Sequence, residues 1–183
     1  MSELNRPIPE SYWVEPGRFL AGEYPAHAFG EQVRQRLDAF LDHGINTFID
    51  LTAADELPSY LPLLEEQAGY YEIDIQYKCL PITDHSIPAT QTMQTILDEI
   101  DAALVAGRKI YLHCWGGIGR TGTVVGCYLV RHGLTGQEAL NQLAEWWQDV
   151  PKSNIWPHTP ETNRQMEFVL NWDEDLSSPR PSP

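Results

Sequence analysis

The tightest local demand on the backbone falls at His113-Cys114-Trp115-Gly116-Gly117-Ile118-Gly119-Arg120-Thr121-Gly122. Upstream, Lys109 to His113 reads as a compact strand with Ile110-Tyr111-Leu112 at its centre. Downstream, Thr121 to His132 is almost wholly apolar, and Val124-Val125-Gly126-Cys127-Tyr128-Leu129-Val130 suits a helix buried in a core. A strand that feeds a buried helix through glycines belongs to α/β architecture. Gly116, Gly117 and Gly119 let the backbone curl until successive N–H groups aim at one point, and the helix N-terminus adds partial positive charge there. The expectation is an anion cradle.

The rest of the chain repeats the alternation of strand and helix. Tyr12-Trp13-Val14 and Arg18-Phe19-Leu20-Ala21-Gly22 flank the turn signal Glu15-Pro16-Gly17, which predicts a hairpin. Val33, Leu37, Phe40 and Leu41 predict a helix over Gly30 to His43, with Gly44 as its C-terminal cap. Ile45 to Leu51 reads as a strand, its Asp50 a residue of the strand end, and Leu61 to Gln67 as a short helix. Ile73, Ile75 and Tyr77 alternate along a strand expected from Tyr71 to Leu80. Met93, Ile96, Leu97, Ile100 and Leu104 predict a helix from Thr90 to Ala106. Thr135 and Glu138 form a capping box for a helix carrying Leu140, Leu143, Ala144 and Trp147, and the pair Trp146 and Trp147 is expected to pack as core and rim rather than as a binding platform. A last helix is expected to begin at Thr159-Pro160, with Met166, Val169 and Leu170 facing inward. The predicted fold is α/β, with a central, mostly parallel sheet flanked by helices. The predicted organisation is an N-terminal extension over 1–10, a single domain over 11–175 and a disordered Pro/Ser tail over 176–183.

Charge narrows the partners. Twelve Lys plus Arg against twenty-six Asp plus Glu leave −14, which repels polyphosphate backbones and anionic membrane surfaces over a Debye length. Neither nucleic acid nor a membrane is expected as a partner. Met1 to Glu10 holds an early Glu3 and no apolar run, and no stretch reaches the roughly 20 apolar residues of a membrane span, so a soluble, cytoplasmic, monomeric protein is expected. Cys79, Cys114 and Cys127 are an odd number without zinc-like spacing, and the other histidines lack ligand spacing. No metal and no cofactor are expected. Cys79 and Cys127 read as buried, inert thiols, and nothing in their spacing shows that either reaches Cys114.

Within the cradle the amides, the helix end and Arg120 all favour a thiolate at Cys114, a nucleophile. Arg120 offers a planar fork of donors for two phosphoryl oxygens. Thr121 can donate a hydrogen bond to the sulfur and help it leave, and His113 orients the loop through backbone hydrogen bonds. The segment resembles the signature loop of the protein tyrosine phosphatase superfamily, His-Cys-x5-Arg-Ser/Thr, and its Gly-x-Gly-Arg-Thr-Gly ending is similar to that of the dual-specificity branch. The likeness extends over most of Tyr12 to Trp172. It implies hydrolysis of a phosphorylated protein side chain through a phosphocysteine at Cys114, with the phosphate-binding P-loop formed by Trp115, Gly116, Gly117, Ile118, Gly119 and Arg120. It also implies a general acid on an upstream loop, for which Asp84 in Pro81-Ile82-Thr83-Asp84-His85-Ser86-Ile87-Pro88 is the candidate, ahead of Asp55 and Asp74. Pro160 to Gln165 resembles the family's glutamine loop, which implies that Gln165 positions the hydrolytic water. Two other readings stand beside this one. An inositol phosphate or phosphoinositide phosphatase would use the same chemistry, and a silent phospho-residue binding module would use the same cradle.

Overall fold

Pro16 and Gly17 turn the chain between β1 (Ser11–Glu15) and β2 (Phe19–Gly22), with Arg18 N–H donating to Glu15 O at 3.0 Å. This antiparallel hairpin is the edge of a five-stranded sheet seen in a computed structural model that describes residues 5–27 and 30–174. The further elements are α1 (Glu31–Asp42), β3 (Thr47–Asp50), α2 (Leu61–Tyr71), β4 (Gln76–Cys79), α3 (Thr90–Val105), β5 (Ile110–His113), α4 (Gly119–Arg131), α5 (Gly136–Gln148), a 3-10 turn at Pro151–Asn154 and α6 (Asn163–Leu170). The strand order is β1-β2-β5-β3-β4, and β2, β5, β3 and β4 run parallel. The expected fold class is the one observed.

Two apolar layers sandwich the sheet, because successive side chains on a strand point to opposite faces. Phe19, Ile49, Ile110 and Leu112 pack toward α3, α4, α5 and α6. Leu20, Phe48 and Tyr111 pack toward α1 and α2. Helix α4 lies deepest, with Gly119 through Tyr128 all buried. Its Gly122 and Gly126 cost about 1 kcal/mol each in helix propensity. Full burial of Val124, Val125 and Tyr128 contributes roughly 1.5–3 kcal/mol per large side chain, so packing outweighs propensity and the helix holds.

Several boundaries differ from the expected ones. Tyr71 ends α2 rather than opening a strand, and β4 begins only at Gln76, although Ile73, Ile75 and Tyr77 do pack against the α1/α2 layer. Helix α4 starts two residues before Thr121, which puts Arg120 on its first turn. The last helix starts at Asn163, not at Pro160. Thr162 caps it, its Oγ1 accepting from Gln165 N–H at 3.2 Å while Gln165 Oε1 accepts from Thr162 N–H at 3.1 Å, a capping box that supplies the start signal instead of the proline. Leu170 and Ala144 face outward, because Val169 on α6 and Ala139, Leu143 and Trp147 on α5 supply the inner stripes. Residues 5–10 of the expected extension pack on the body. Ile8 is buried and Arg6 Nη1 donates to Ser11 O at 2.8 Å. The tail expected over 176–183 lies outside the described residues.

Candidate active site

Parallel strands carry their C-terminal ends to one edge of the sheet, and ligands of open α/β sheets bind there. Gly22, Asp50 and His113 stand in register at that edge, closing β2, β3 and β5. Cys114 follows directly, and the segment from Trp115 to Ile118 curls back into α4. Gly117 holds a φ of 73°, and a Cβ there would meet Gly22 C at 2.5 Å and Glu23 N at 2.7 Å. The glycine is what lets the loop lie against the end of β2.

Four carbonyls of this loop are engaged on the side away from the cleft's floor. Tyr24 N–H donates to Trp115 O at 2.8 Å, Lys152 Nζ to Gly116 O at 3.0 Å, Thr159 Oγ1 to Ile118 O at 2.7 Å and Thr123 Oγ1 to Gly119 O at 2.7 Å. A trans peptide sets its N–H opposite its C=O. The amides of Gly116, Gly117, Gly119 and Arg120 therefore point away from those partners. Lys152 is itself fixed by buried Glu23 at 2.5 Å, which also pairs with Arg36 at 2.6 Å.

Cys114 is buried, and Thr121 Oγ1 donates to its Sγ at 3.1 Å. The Arg120 guanidinium is buried too. Nη1 and Nη2 donate to the two carboxylate oxygens of Glu56 at 2.8 and 2.6 Å, Nη1 also to Ile82 O at 3.2 Å, and Nη2 lies 3.1 Å from Asp84 Oδ1. Arg120 Nε is buried and has no hydrogen-bond partner among the described residues. Burial works against the guanidinium's charge, but the bonds to Glu56 and the charges of Cys114 and Asp84 outweigh it and raise its pKa. The same bonds from Arg120 hold the Glu56 carboxyl below the usual carboxylate range, against the opposing effect of its partial burial.

His113 is fully buried, with Nδ1 3.1 Å from Cys114 O and Nε2 2.7 Å from Tyr60 Oη. A carbonyl can only accept, so Nδ1 carries the hydrogen and Nε2 accepts from the phenol. Burial lowers the imidazole pKa, while Asp50 and the Cys114 carbonyl oppose it. Asp50 Oδ1 accepts from Thr52 N–H at 2.8 Å and from Thr52 Oγ1 at 2.6 Å, and Oδ2 accepts from Tyr77 Oη at 2.8 Å. It buttresses the strand ends from behind the loop.

A cleft of about 350 Å³ opens over these groups, lined among others by Asp84, Cys114, Trp115, Arg120, Lys152 and Trp156. Cys114, Arg120, Thr121, His113 and Asp84 lie together at this edge, while the rival acids do not. Asp74 pairs with Arg108 at 3.1 Å, at the opposite ends of the strands, and Asp55 is exposed. Gln165 is fully buried, its Nε2 donating to Ser86 O at 3.3 Å. Both of its side-chain polar atoms would lie 2.9 Å from a Cβ on Gly119, so α6 reaches the loop only because that position is glycine. Cys79, expected buried, is exposed at the end of β4, whereas Cys127 is buried and its thiol pushed well up by desolvation. All three cysteines are free. Sequence reasoning missed Glu56, Lys152 and Glu161. Glu56 carried one signal, an acid just beyond a strand's C-terminal end. Among the described residues no cluster of His, Cys, Asp and Glu suits a metal, and no helix is long and apolar enough to cross a membrane.

Known proteins are similar to this chain in sequence and in fold. The chain is 30% identical over 124 residues to the mouse dual specificity protein phosphatase CDC14B, covering 66% of this chain and 24% of that one. It therefore spans about a quarter of that curated relative's length. The structure of Tk-PTP in its active form is 28% identical, with a TM-score of 0.62, and the match covers 88% of this chain and 94% of that one. PTPMT1 in complex with PI(5)P, at 16% identity and a TM-score of 0.67 over 92% of this chain and 97% of that one, shares the fold. Residues 9–167 match the family described as PTP-SAK: Swiss Army Knife protein, DSP-PTPase phosphatase domain, and with strand end, signature loop and buried arginine as found here the chain belongs to that family of dual-specificity-like protein tyrosine phosphatases.

Proposed function

We propose that this chain hydrolyses phosphomonoesters on protein side chains, phosphotyrosine above all and phosphoserine and phosphothreonine as well, through a phosphocysteine at Cys114. The carrying observation is the pairing of a buried thiol, hydrogen-bonded by Thr121 at 3.1 Å, with a buried guanidinium whose Nε is unpartnered, at the floor of one cleft. Cys114 Sγ attacks phosphorus and the S–P bond forms as the P–O ester bond breaks. Asp84, protonated, gives its proton to the leaving oxygen. Water then attacks phosphorus, Asp84 takes the water's proton, and the S–P electron pair returns to sulfur, eased by the Thr121 hydroxyl. Loop amides and Arg120 carry the charge of the equatorial oxygens throughout. We assign Gln165, whose side-chain amide lies beside Gly119, to orient that water once its contact with Ser86 O opens.

Every group in this scheme comes from one chain, and we read the domain as a monomer that needs no cofactor or metal. A free thiol nucleophile needs a reducing compartment, which favours the cytoplasm. PTPMT1 binds PI(5)P, and Lys152 lines the present cleft. Its ammonium is already held by Glu23 and Gly116 O, however, and Asp84 and Glu161 add negative charge, which disfavours a polyphosphorylated ligand. A silent binding module is disfavoured because thiol, arginine and acid stand together. The test is turnover of p-nitrophenyl phosphate, a phosphopeptide panel and inositol phosphates. Cys114→Ser is expected to abolish turnover, and Asp84→Ala to slow it by about 10²- to 10⁴-fold while phosphate binding persists. Faster turnover of inositol phosphates than of every phosphopeptide would overturn the substrate class, and an active Cys114→Ser the mechanism.

A further inference from the structure

His85 has no part in the scheme above, yet its surroundings are specific. It follows Asp84 with a φ of 54°, a left-handed backbone that a non-glycine residue adopts only where neighbours hold it there. Its N–H donates to Asp84 Oδ1 at 3.0 Å. The ring then stands between two carboxyl groups, with Nε2 3.5 Å from Asp84 Oδ2 and Nδ1 3.4 Å from Glu161 Oε2; a neutral ring has one N–H and one acceptor nitrogen, so Nδ1–H can face Glu161 while Nε2 accepts from the protonated Asp84 carboxyl. Asp84, His85 and Glu161 all line the cleft over Cys114.

The two carboxyl groups sit on different segments. Asp84 is on the exposed loop between β4 and α3, and Glu161 precedes α6. One other tether joins the same segments, Gln165 Nε2 to Ser86 O. The charged groups around the ring are Asp84 from its own loop, Glu161 from the far side and, behind Asp84, Arg120 of α4 with Glu56. With Arg120 on Oδ1 and the ring on Oδ2, both oxygens of a half-exposed carboxyl are constrained. A general acid must lie within hydrogen-bond reach of the leaving oxygen, and a freely rotating aspartate on a surface loop spends little time there.

We propose that His85 is a positioning residue, clamping the Asp84 loop to Glu161 so that the Asp84 carboxyl stays over the cleft for proton delivery. This rests on the reading of Asp84 as the general acid. A leaving-group series tests it, because phenoxide needs a proton to depart and 2,4-dinitrophenoxide does not. The quantity is kcat/KM, which reports the steps through formation of the S–P bond.

Asp84→Asn should lose about 100-fold on phenyl phosphate and far less on 2,4-dinitrophenyl phosphate. His85→Asn tolerates the left-handed backbone but is too short to bridge both carboxyl groups. It should lose about 10-fold on phenyl phosphate and less than roughly two-fold on the dinitrophenyl ester. Glu161→Gln in the His85→Asn background should cost no further selective loss on phenyl phosphate, since the two act as one unit. Equal losses on both esters, or no loss on phenyl phosphate, would overturn the clamp. If Asp84→Asn itself lacks leaving-group dependence, the acid assignment falls and the clamp with it. If Asp84→Asn has it and His85→Asn lacks it, the clamp alone falls.

Discussion

Gly117→Ala puts the architecture of the loop under direct strain. The added methyl would stand 2.5 Å from Gly22 C and 2.7 Å from Glu23 N and Gly22 O. Carbon contacts settle at about 3.5–4.0 Å, so loop and strand end must separate by roughly 1 Å. All three obstructing atoms are backbone, so no side chain can rotate away. The φ of 73° adds a left-handed penalty of about 1–2 kcal/mol for alanine, and overpacking adds about 1–3 kcal/mol. At about 2–4 °C per kcal/mol for a chain of this size, the melting temperature should fall by roughly 4–20 °C. A 1 Å displacement within a preorganised site costs about 100-fold in rate, and the amides of Gly117 and its neighbours are the groups displaced. The assay is kcat/KM with p-nitrophenyl phosphate at a temperature where the variant is folded, together with a melting curve. Gly69→Ala is the control: it lies on the exposed side of α2 with nothing within 4 Å of its Cβ, so it should keep full turnover and gain about 0.5–1 kcal/mol in stability. A Gly117→Ala protein that melts with the parent and turns over within about three-fold of it would refute the reasoning.

Glu56→Ala should release both Nη groups of Arg120, leaving only Ile82 O and Asp84 to orient the fork. Phosphatase kcat/KM should then fall about 10- to 100-fold, with stability down by about 1–3 kcal/mol. Unchanged kinetics and melting would remove Glu56 from the site. His113 gives a pH signature. Its folded-state pKa lies below the ordinary imidazole value of about 6.5, first because of burial. The unfolded chain therefore takes up a proton that the folded chain refuses. The stabilisation is complete above about pH 6.5 and is lost as pH falls toward the folded-state value, at up to about 1.4 kcal/mol per pH unit. Denaturant unfolding from pH 7 to 5 should show a shallower decline for His113→Gln than for the parent; parallel curves would contradict the assignment.

How much of this was legible beforehand depends on the range of each interaction. The Thr135–Glu138 capping box joins residues three apart, and it was readable from spacing and is present. The Thr162–Gln165 box has the same span, yet Pro160 drew the predicted start three residues too early, because proline at a first helical turn and proline in the turn before one look alike in sequence. Leu170, expected inward beside Val169, is exposed, because Val169 carries the inner stripe and Leu170 falls at its edge. Gln165 is a site residue by resemblance alone, and its own surroundings are not legible in the sequence. Only the approach of α6 to Gly119 buries it.

Local rules alone suffice for the strand, the glycine loop and the apolar helix around Cys114, and hence for the joint presence of Thr121 and Arg120 beside the thiol. Backbone curl, helix polarity and Cys-to-Arg spacing act within ten residues and need no distant partner. Tertiary structure decided the company those groups keep. Glu56 on Arg120, Thr159 on Ile118, Lys152 on Gly116, Gln165 on Ser86 and His85 on Glu161 join segments whose neighbourhood arises only when β2, β5 and β3 line up in parallel. The physical reason is that charge pairing and burial depend on separation in space, whereas propensity, capping and periodicity record only separation along the chain.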